Sequence, residues 1–345
     1  MRSTGFASHY YTSNLRGCAP PFYPPYIAPP RPNTQPLFDV VGSTLLHHSP
    51  SPLHLPAWER MLVNYPGDLP QLISGILRNG TQLGYEGPAQ LILSKNLISA
   101  DLDDHTIQDK LAADLKAGRV VAVSPSAPYI CSPLGLVPKH DKGWRRIHHL
   151  SYPPGRSVND YIRSDFAALK YVTLEEIWAT IIKTGRGSMI IKRDIQDAFR
   201  MIPVAKLQQW LLGFQVDGRY YKETCLPFGL STSPFLFNIF SEAFHWILES
   251  KLRWFNLHHY LDDFIRIIKA SPHTPAILHN LREDYVKVTD ELGIPRNDTK
   301  DHEGQVAEIL GIEHDTTTLE ARLSPAKLAK AILLTSQALT RRSLT

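Results

Sequence analysis

Cysteine is scarce: only Cys18, Cys131 and Cys225 occur, far apart in the chain. So scattered and odd-numbered a set excludes a disulfide framework and a cysteine-based zinc site, and a reducing intracellular compartment is expected. No run of eighteen apolar residues is present, which excludes a transmembrane helix and makes a membrane partner unexpected. The first seventeen residues also lack the apolar stretch of a secretory signal. No internal repeat is visible.

Overall charge is small as well, a net +4 from 37 Lys and Arg against 33 Asp and Glu. Its placement is uneven. Residues 139–170 carry Lys139, Lys142, Arg145, Arg146, Arg156, Arg163 and Lys170 against Asp141, Asp160 and Asp165, so this stretch holds the whole excess. Such a patch suits a phosphate-bearing partner, although charge alone does not separate that from a solvated surface.

What is present is enough apolar residue, 43% of 345, for a sizeable core in two or three subdomains. Residues 1–56 differ from the rest, with eleven of the 27 prolines and only four charged side chains. Proline at this density blocks helix and sheet hydrogen bonds, so an extended, largely disordered leader is expected there. Residues 57–117 read as helical, with Trp58, Met61, Leu62 and Tyr65, and then Ile107, Leu111, Asp114 and Leu115, at helical spacing. Strands are expected over residues 120–123, 132–138, 144–150, 188–194, 257–268 and 306–316. Helices are expected to follow the Thr173-Leu174-Glu175-Glu176 capping pattern and the Ser233-Pro234 pair, and to end at Gly293. The alternation of helix and strand indicates an α+β fold, its helices packed on one face of a small sheet.

Acids inside apolar strands are costly unless they are hydrogen-bonded or bind cations. Asp194 ends one apolar run, and Asp262 and Asp263 interrupt another at Tyr260-Leu261-Asp262-Asp263. Strand alternation would send the two neighbours to opposite faces. Side by side, the two strands would bring Asp194 and one of the pair within reach of two divalent ions about 4 Å apart, the arrangement that serves in-line phosphoryl transfer. A Tyr-x-Asp-Asp match arises by chance in roughly 3% of chains this long, and a hairpin turn explains it equally well. Its weight comes from its company. Residues 226–234 read as a loop that enters a helix, either an ordinary entry turn or one that approaches a flat base pair at Gly229, and residues 132–146 as a hairpin tipped with cations, either solvated or suited to a triphosphate.

In that company the chain resembles a retroelement reverse transcriptase over residues 115–324. The motifs run in the family's order. They are the basic hairpin at 137–147, Lys192-Arg193-Asp194-Ile195-Gln196-Asp197-Ala198-Phe199, the template block at 226–238, and Tyr260 to Asp263. The segment 292–300 and the primer-gripping hairpin Ile309-Leu310-Gly311-Ile312-Glu313 follow. The Leu-Pro-Phe-Gly-Leu and Trp-Arg-Arg-Ile-His-His stretches are most similar to long-terminal-repeat and tyrosine-recombinase elements.

The resemblance implies a right-hand polymerase fold. Fingers would lie at 118–168 and 202–232, the palm at 169–201 and 233–318, and the start of a thumb at 319–345. It implies RNA-directed DNA polymerase activity on an RNA or DNA template with primer and deoxynucleoside triphosphates, using two Mg²⁺ ions or Mn²⁺ in their place. Asp194, Asp262 and Asp263 match the metal-binding triad, and Lys300 the proton donor to pyrophosphate. Lys139 and Arg145 match the cations on the triphosphate. Gln196, Asp197 and Ala198 line the nucleotide pocket largely through backbone, and Phe199 is the aromatic gate under the sugar. Phe228 and Gly229 pack on the templating pair, and Leu310, Gly311 and Ile312 grip the primer. RNase H and integrase or recombinase parts are expected on other chains or lost. His149 and Ser151 stand where many relatives carry an acid and an arginine, and Arg266 stands where they are apolar. The competing expectations are an inactive or domesticated fragment that binds nucleic acid, and an RNA-dependent RNA polymerase, which needs no aromatic at Phe199.

Overall fold

The computed structural model describes residues 51–138, 143–164 and 169–340. Its first elements are α1 (Leu55–Met61), α2 (Leu69–Asn79), β1 (Leu91–Leu93), a 3₁₀ turn over Ile98–Leu102 and α3 (Asp104–Lys116). The helical segment expected over residues 57–117 is therefore interrupted. Gly80, Gly84, Gly87 and Pro88 break any helical period between α2 and β1.

Residues 51–56, which composition groups with the leader, are built into the fold. Proline costs nothing in the first turn of a helix, where its missing amide would be unpaired anyway, and Pro56 starts α1 there. Leu53 is buried, and the His54 amide and Trp58 Nε1 both donate to the Leu292 carbonyl oxygen, at 2.9 and 3.0 Å. Gly293, with φ +73°, makes room for this strap, since a Cβ would fall on the Pro52 carbonyl oxygen. Residues 1–50 lie outside the described residues.

Strands β2 (Val120–Val123), β3 (Tyr129–Cys131), β4 (Leu134–Pro138) and β5 (Trp144–His148) come next. β4 and β5 pair as the expected hairpin, Val137 opposite Arg145. Helix α4 (Leu174–Thr184) is closed at its start by a reciprocal pair of hydrogen bonds. The Glu176 amide donates to Thr173 Oγ1 at 3.2 Å, and the Thr173 amide donates to Glu176 Oε2 at 2.9 Å. Thr173→Ala is expected to cost about 1 kcal/mol, read as a lower urea midpoint at unchanged slope.

The remaining elements are β6 (Met189–Asp194), β7 (Gly213–Val216), β8 (Arg219–Glu223), α5 (Ser233–Leu252), β9 (Leu257–Tyr260), β10 (Asp263–Ile268) and α6 (Thr274–Leu292). After them come β11 (His302–Gly304), β12 (Val306–Ile309), β13 (Ile312–Asp315), β14 (Glu320–Arg322) and α7 (Pro325–Thr340). The single strand expected over residues 306–316 is a hairpin: Leu310 (φ +47°) and Gly311 (φ +85°) turn the chain between β12 and β13.

Two sheets organise these parts. One is mixed and five-stranded, in the order β1-β3-β7-β8-β2; the other is four-stranded, in the order β11-β6-β10-β9, and antiparallel throughout. The fold is α+β, as expected, but helices cover both faces of the four-stranded sheet. Ile190, Ile265 and Ile267 pack with Ile177 and Ile181 of α4, whereas Phe264 meets Phe244 of α5 and Arg193 meets Tyr285 of α6. Both faces of β6 and β10 carry buried side chains, so a one-faced layer would have left one set in water.

Candidate active site

Alternation along β6 puts Lys192 and Asp194 on one face and Arg193 on the other. Arg193 is 2% exposed and paired with Asp301 at 3.3 Å and with Glu303, which anchors the strand from behind. Asp194 stands directly across the ladder from Asp263, and Asp263 in turn from Tyr260 on β9. Leu261, with φ +54°, turns the chain between β9 and β10, so Asp262 occupies a hairpin turn and not a strand position. The separation of the doublet onto opposite faces of one strand is thereby corrected. The hairpin-turn explanation and the catalytic one describe the same residues. The Ile195 amide donates to the Asp262 carbonyl oxygen at 3.1 Å and locks the turn against the end of β6.

Burial pushes the Asp262 carboxyl up to about 6, and the neighbouring Asp263 and Asp194 charges add to it while Lys300 opposes them. Burial also raises Asp263, with Lys192 opposing. Lys300 Nζ lies 3.1 Å from Asp194 Oδ1 and 3.3 Å from Oδ2. Its loop is held to the strand end by Asn297 N donating to the Asp194 carbonyl oxygen at 3.1 Å and Gln196 N donating to that of Pro295 at 3.0 Å. Among the described residues no three His, Cys, Asp or Glu side chains converge tightly enough to form a finished metal cage. The donor set nevertheless fits a hard divalent cation. It consists of carboxylate oxygens, and their mutual repulsion is answered here by Lys300 and, at Asp263, by Lys192.

A second cluster surrounds Phe199. Asp197 adopts a left-handed conformation (φ 52°) and opens a 3₁₀ turn over Ala198–Met201. Ala198 is buried, Gln196 is exposed, and the Phe199 ring lies 5.0 Å from that of Phe228 and 5.7 Å from that of Phe237. Of the backbone of Gln196 to Ala198, the Gln196 amide is engaged by the Pro295 carbonyl oxygen. Phe228 is exposed beside Gly229, whose φ of +104° and missing side chain serve the His148 carbonyl oxygen packed against it. Asn159, which no sequence pattern signalled, clamps this loop. Its Nδ2 donates to the Gly229 carbonyl oxygen at 2.8 Å and its Oδ1 accepts from Ser231 N at 3.0 Å.

Arg145 is exposed on β5; Lys139 lies outside the described residues. Leu310, Gly311 and Ile312 sit at the β12–β13 turn of a separate three-stranded sheet, tied to β6 by Lys192 Nζ donating to the Glu308 carbonyl oxygen at 2.9 Å. Arg266 finds its partner in the Trp254 ring, 5.2 Å away, and burial pulls its pKa down to about 10.

The pattern of the reverse transcriptase (RNA-dependent DNA polymerase) family matches residues 137–313, more than half of the chain. Among proteins with curated functions none matches this chain. Solved structures of foamy viral protease–reverse transcriptase share the fold. The dRH form with double-stranded DNA has a TM-score of 0.55 at 18% identity, covering 81% of this chain and 48% of that one. A second complex with double-stranded DNA gives 0.53 at 19%, covering 81% and 58%. A complex with an RNA/DNA hybrid gives 0.53 at 19%, covering 81% and 37%. This chain therefore spans between 37% and 58% of the length of those chains.

Proposed function

The chain belongs to the reverse transcriptase family, and on that premise we propose that it is the RNA-directed DNA polymerase of a retrotransposon, adding deoxynucleotides to a primer 3′-hydroxyl. The observation that carries the reading is the register that sets Asp263 opposite Asp194, with Asp262 in the adjoining turn. These three carboxylates would hold two Mg²⁺ or Mn²⁺ ions. When bound, such ions lower the pKa of an attacking hydroxyl and neutralise charge on the leaving phosphate. Lys300 holds a proton at Nζ beside Asp194, placed to hand it to departing pyrophosphate. Phe199 lies under the sugar and excludes a 2′-hydroxyl, while Phe228 and Gly229 face the templating pair and Arg145 the triphosphate.

In this reading the five-stranded sheet and the β4–β5 hairpin are the fingers, the four-stranded sheet is the palm, and the β12–β13 turn grips the primer. An RNA or DNA template with its primer binds largely through phosphates, so its affinity falls steeply with salt. A foamy viral relative in complex with an RNA/DNA hybrid and others with double-stranded DNA support that choice of partner. The long-terminal-repeat, tyrosine-recombinase affiliation rests on residues 144–149 and 226–230. Terminal repeats and a recombinase frame in the neighbouring DNA are its test.

The decisive experiment is extension of a primed RNA template under Mg²⁺ and under Mn²⁺, beside filter binding of the same duplex. Folded protein that binds duplex yet extends it with neither metal would leave a nucleic-acid binder and end the polymerase reading. A pH series adds a second check. With its carboxyl raised to about 6 in the metal-free protein, protons compete with a cation for Asp262 in more acid solution, so the metal concentration needed for half-maximal single-turnover extension is expected to rise as pH falls below about 6. Stability of the metal-free protein should respond to the same proton. A carboxyl whose folded pKa is raised favours the folded state when protonated, and that contribution fades as pH rises through about 6. Calorimetry in the presence of a chelator reads it.

A further inference from the structure

Behind the turn that carries Phe199 lie four buried charges: Asp114 of α3, Arg146 of β5, Arg200 of the turn itself and Glu223 at the end of β8, with side chains 1–8% exposed. Arg200 Nη2 is 3.3 Å from Asp114 Oδ2 and 2.6 Å from Glu223 Oε2. Arg146 Nη2 is 2.8 Å from the same Asp114 oxygen and 3.4 Å from Glu223 Oε1. Two cations against two anions make the group neutral. A well-packed apolar set is commonly as stable as such a buried network, so stability alone does not call for it. What ion pairs add is fixed geometry.

Both flanks of Phe199 lead back to Asp114. On the C-terminal side, Arg200 follows Phe199 and reaches the Asp114 carboxylate. On the N-terminal side, Asp197 accepts a hydrogen bond from Arg119 Nη1 at 2.8 Å, and the Arg119 amide donates to the Asp114 carbonyl oxygen at 2.9 Å. A four-residue 3₁₀ turn has weak hydrogen-bond geometry of its own, and Phe199 is only partly buried. The external anchors therefore set where the ring stands. We propose that Arg200 and Arg119, both rooted on Asp114, are positioning residues for Phe199. They fix the clearance between its ring and the sugar of the incoming nucleotide, and so sharpen selection of deoxy- over ribonucleotides. The inference rests on the polymerase reading and on the placement of Phe199 under the sugar.

The test is the ratio of kcat/KM for a deoxynucleotide to that for its ribonucleotide, a quantity that merely structural damage leaves unchanged. It is measured on the full chain and on Arg200→Met/Glu223→Gln, which removes one opposite pair without orphaning a charge. It is measured also on Arg200→Lys, on Arg119→Met and on Phe199→Val. Arg119→Met frees only the partly exposed Asp197, and it keeps the test open if the buried variants fail to fold. The double variant and Arg119→Met are each expected to lower the ratio at least about tenfold, with Arg200→Lys in between. An unchanged ratio in the folded anchor variants, with Phe199→Val relaxed, overturns the clamp and leaves the gate standing. An unchanged ratio in Phe199→Val defeats the placement of Phe199 itself, and loss of all extension in the parent defeats the polymerase reading.

Discussion

Asp262→Asn is expected to cut primer extension about a thousandfold, roughly 4 kcal/mol of lost transition-state stabilisation, while the protein melts no earlier than the parent. The two halves of this result have one origin. Burial and two neighbouring carboxylates already disfavour the charged form of Asp262, so a neutral side chain of the same shape relieves the fold. The same substitution removes an oxygen charge that only a bound cation repays. Steady-state extension beside a thermal melt checks both halves. Extension within tenfold of the parent would take Asp262 out of the chemistry.

Gly229→Ala carries the second large effect. Its φ of +104° is strained for any L side chain, and the new methyl would fall on the His148 carbonyl oxygen, a backbone atom that cannot step aside without moving the end of β5. The strained backbone and the overlap together should cost about 3 kcal/mol, seen as a lower denaturant midpoint. The loop carrying Phe228 should shift with it, so template-dependent extension should fall as well. Asn159→Ala, which loses two hydrogen bonds to the loop and one to Ser151 Oγ without a clash, should do the same more mildly. An unchanged midpoint for Gly229→Ala would mean that the loop and the hairpin are not packed as described.

Local signals are legible where one turn of chain holds the whole device. The Thr173–Glu176 cap, the Ser233-Pro234 helix start and the Gly293 stop all act over a few residues, and each stands where its chemistry requires. Asp194, Asp262 and Asp263 were legible for a different reason: acids in apolar runs demand an explanation wherever they occur. The tightness of the turn at Leu261 was not legible, because a leucine with positive φ gives no compositional warning. Leu310 hid the β12–β13 turn from the strand pattern in the same way, and only the family resemblance marked a hairpin at 309–313. Least visible was the buried network, since Asp114, Arg146, Arg200 and Glu223 lie in four separate elements and only Asp114, on the stripe of Ile107 and Leu111, carries a local mark of burial. Asn159 is a further case, an ordinary polar residue until Gly229 and Ser231 are brought to it.

The strap before α1 bears on how the protein is handled at the bench. Because Leu53, His54 and Trp58 close over the end of α6, just ahead of the loop that delivers Lys300, a recombinant version begun at residue 57 would lose Leu53 and His54 from that cover and leave Leu292 with Trp58 as its one remaining donor of the two. An expression boundary set by the family match alone, at residue 137, would also discard α3 and with it Asp114. The shortest chain worth purifying therefore starts no later than Ser51, whose hydroxyl donates to the Met201 carbonyl oxygen at 2.7 Å.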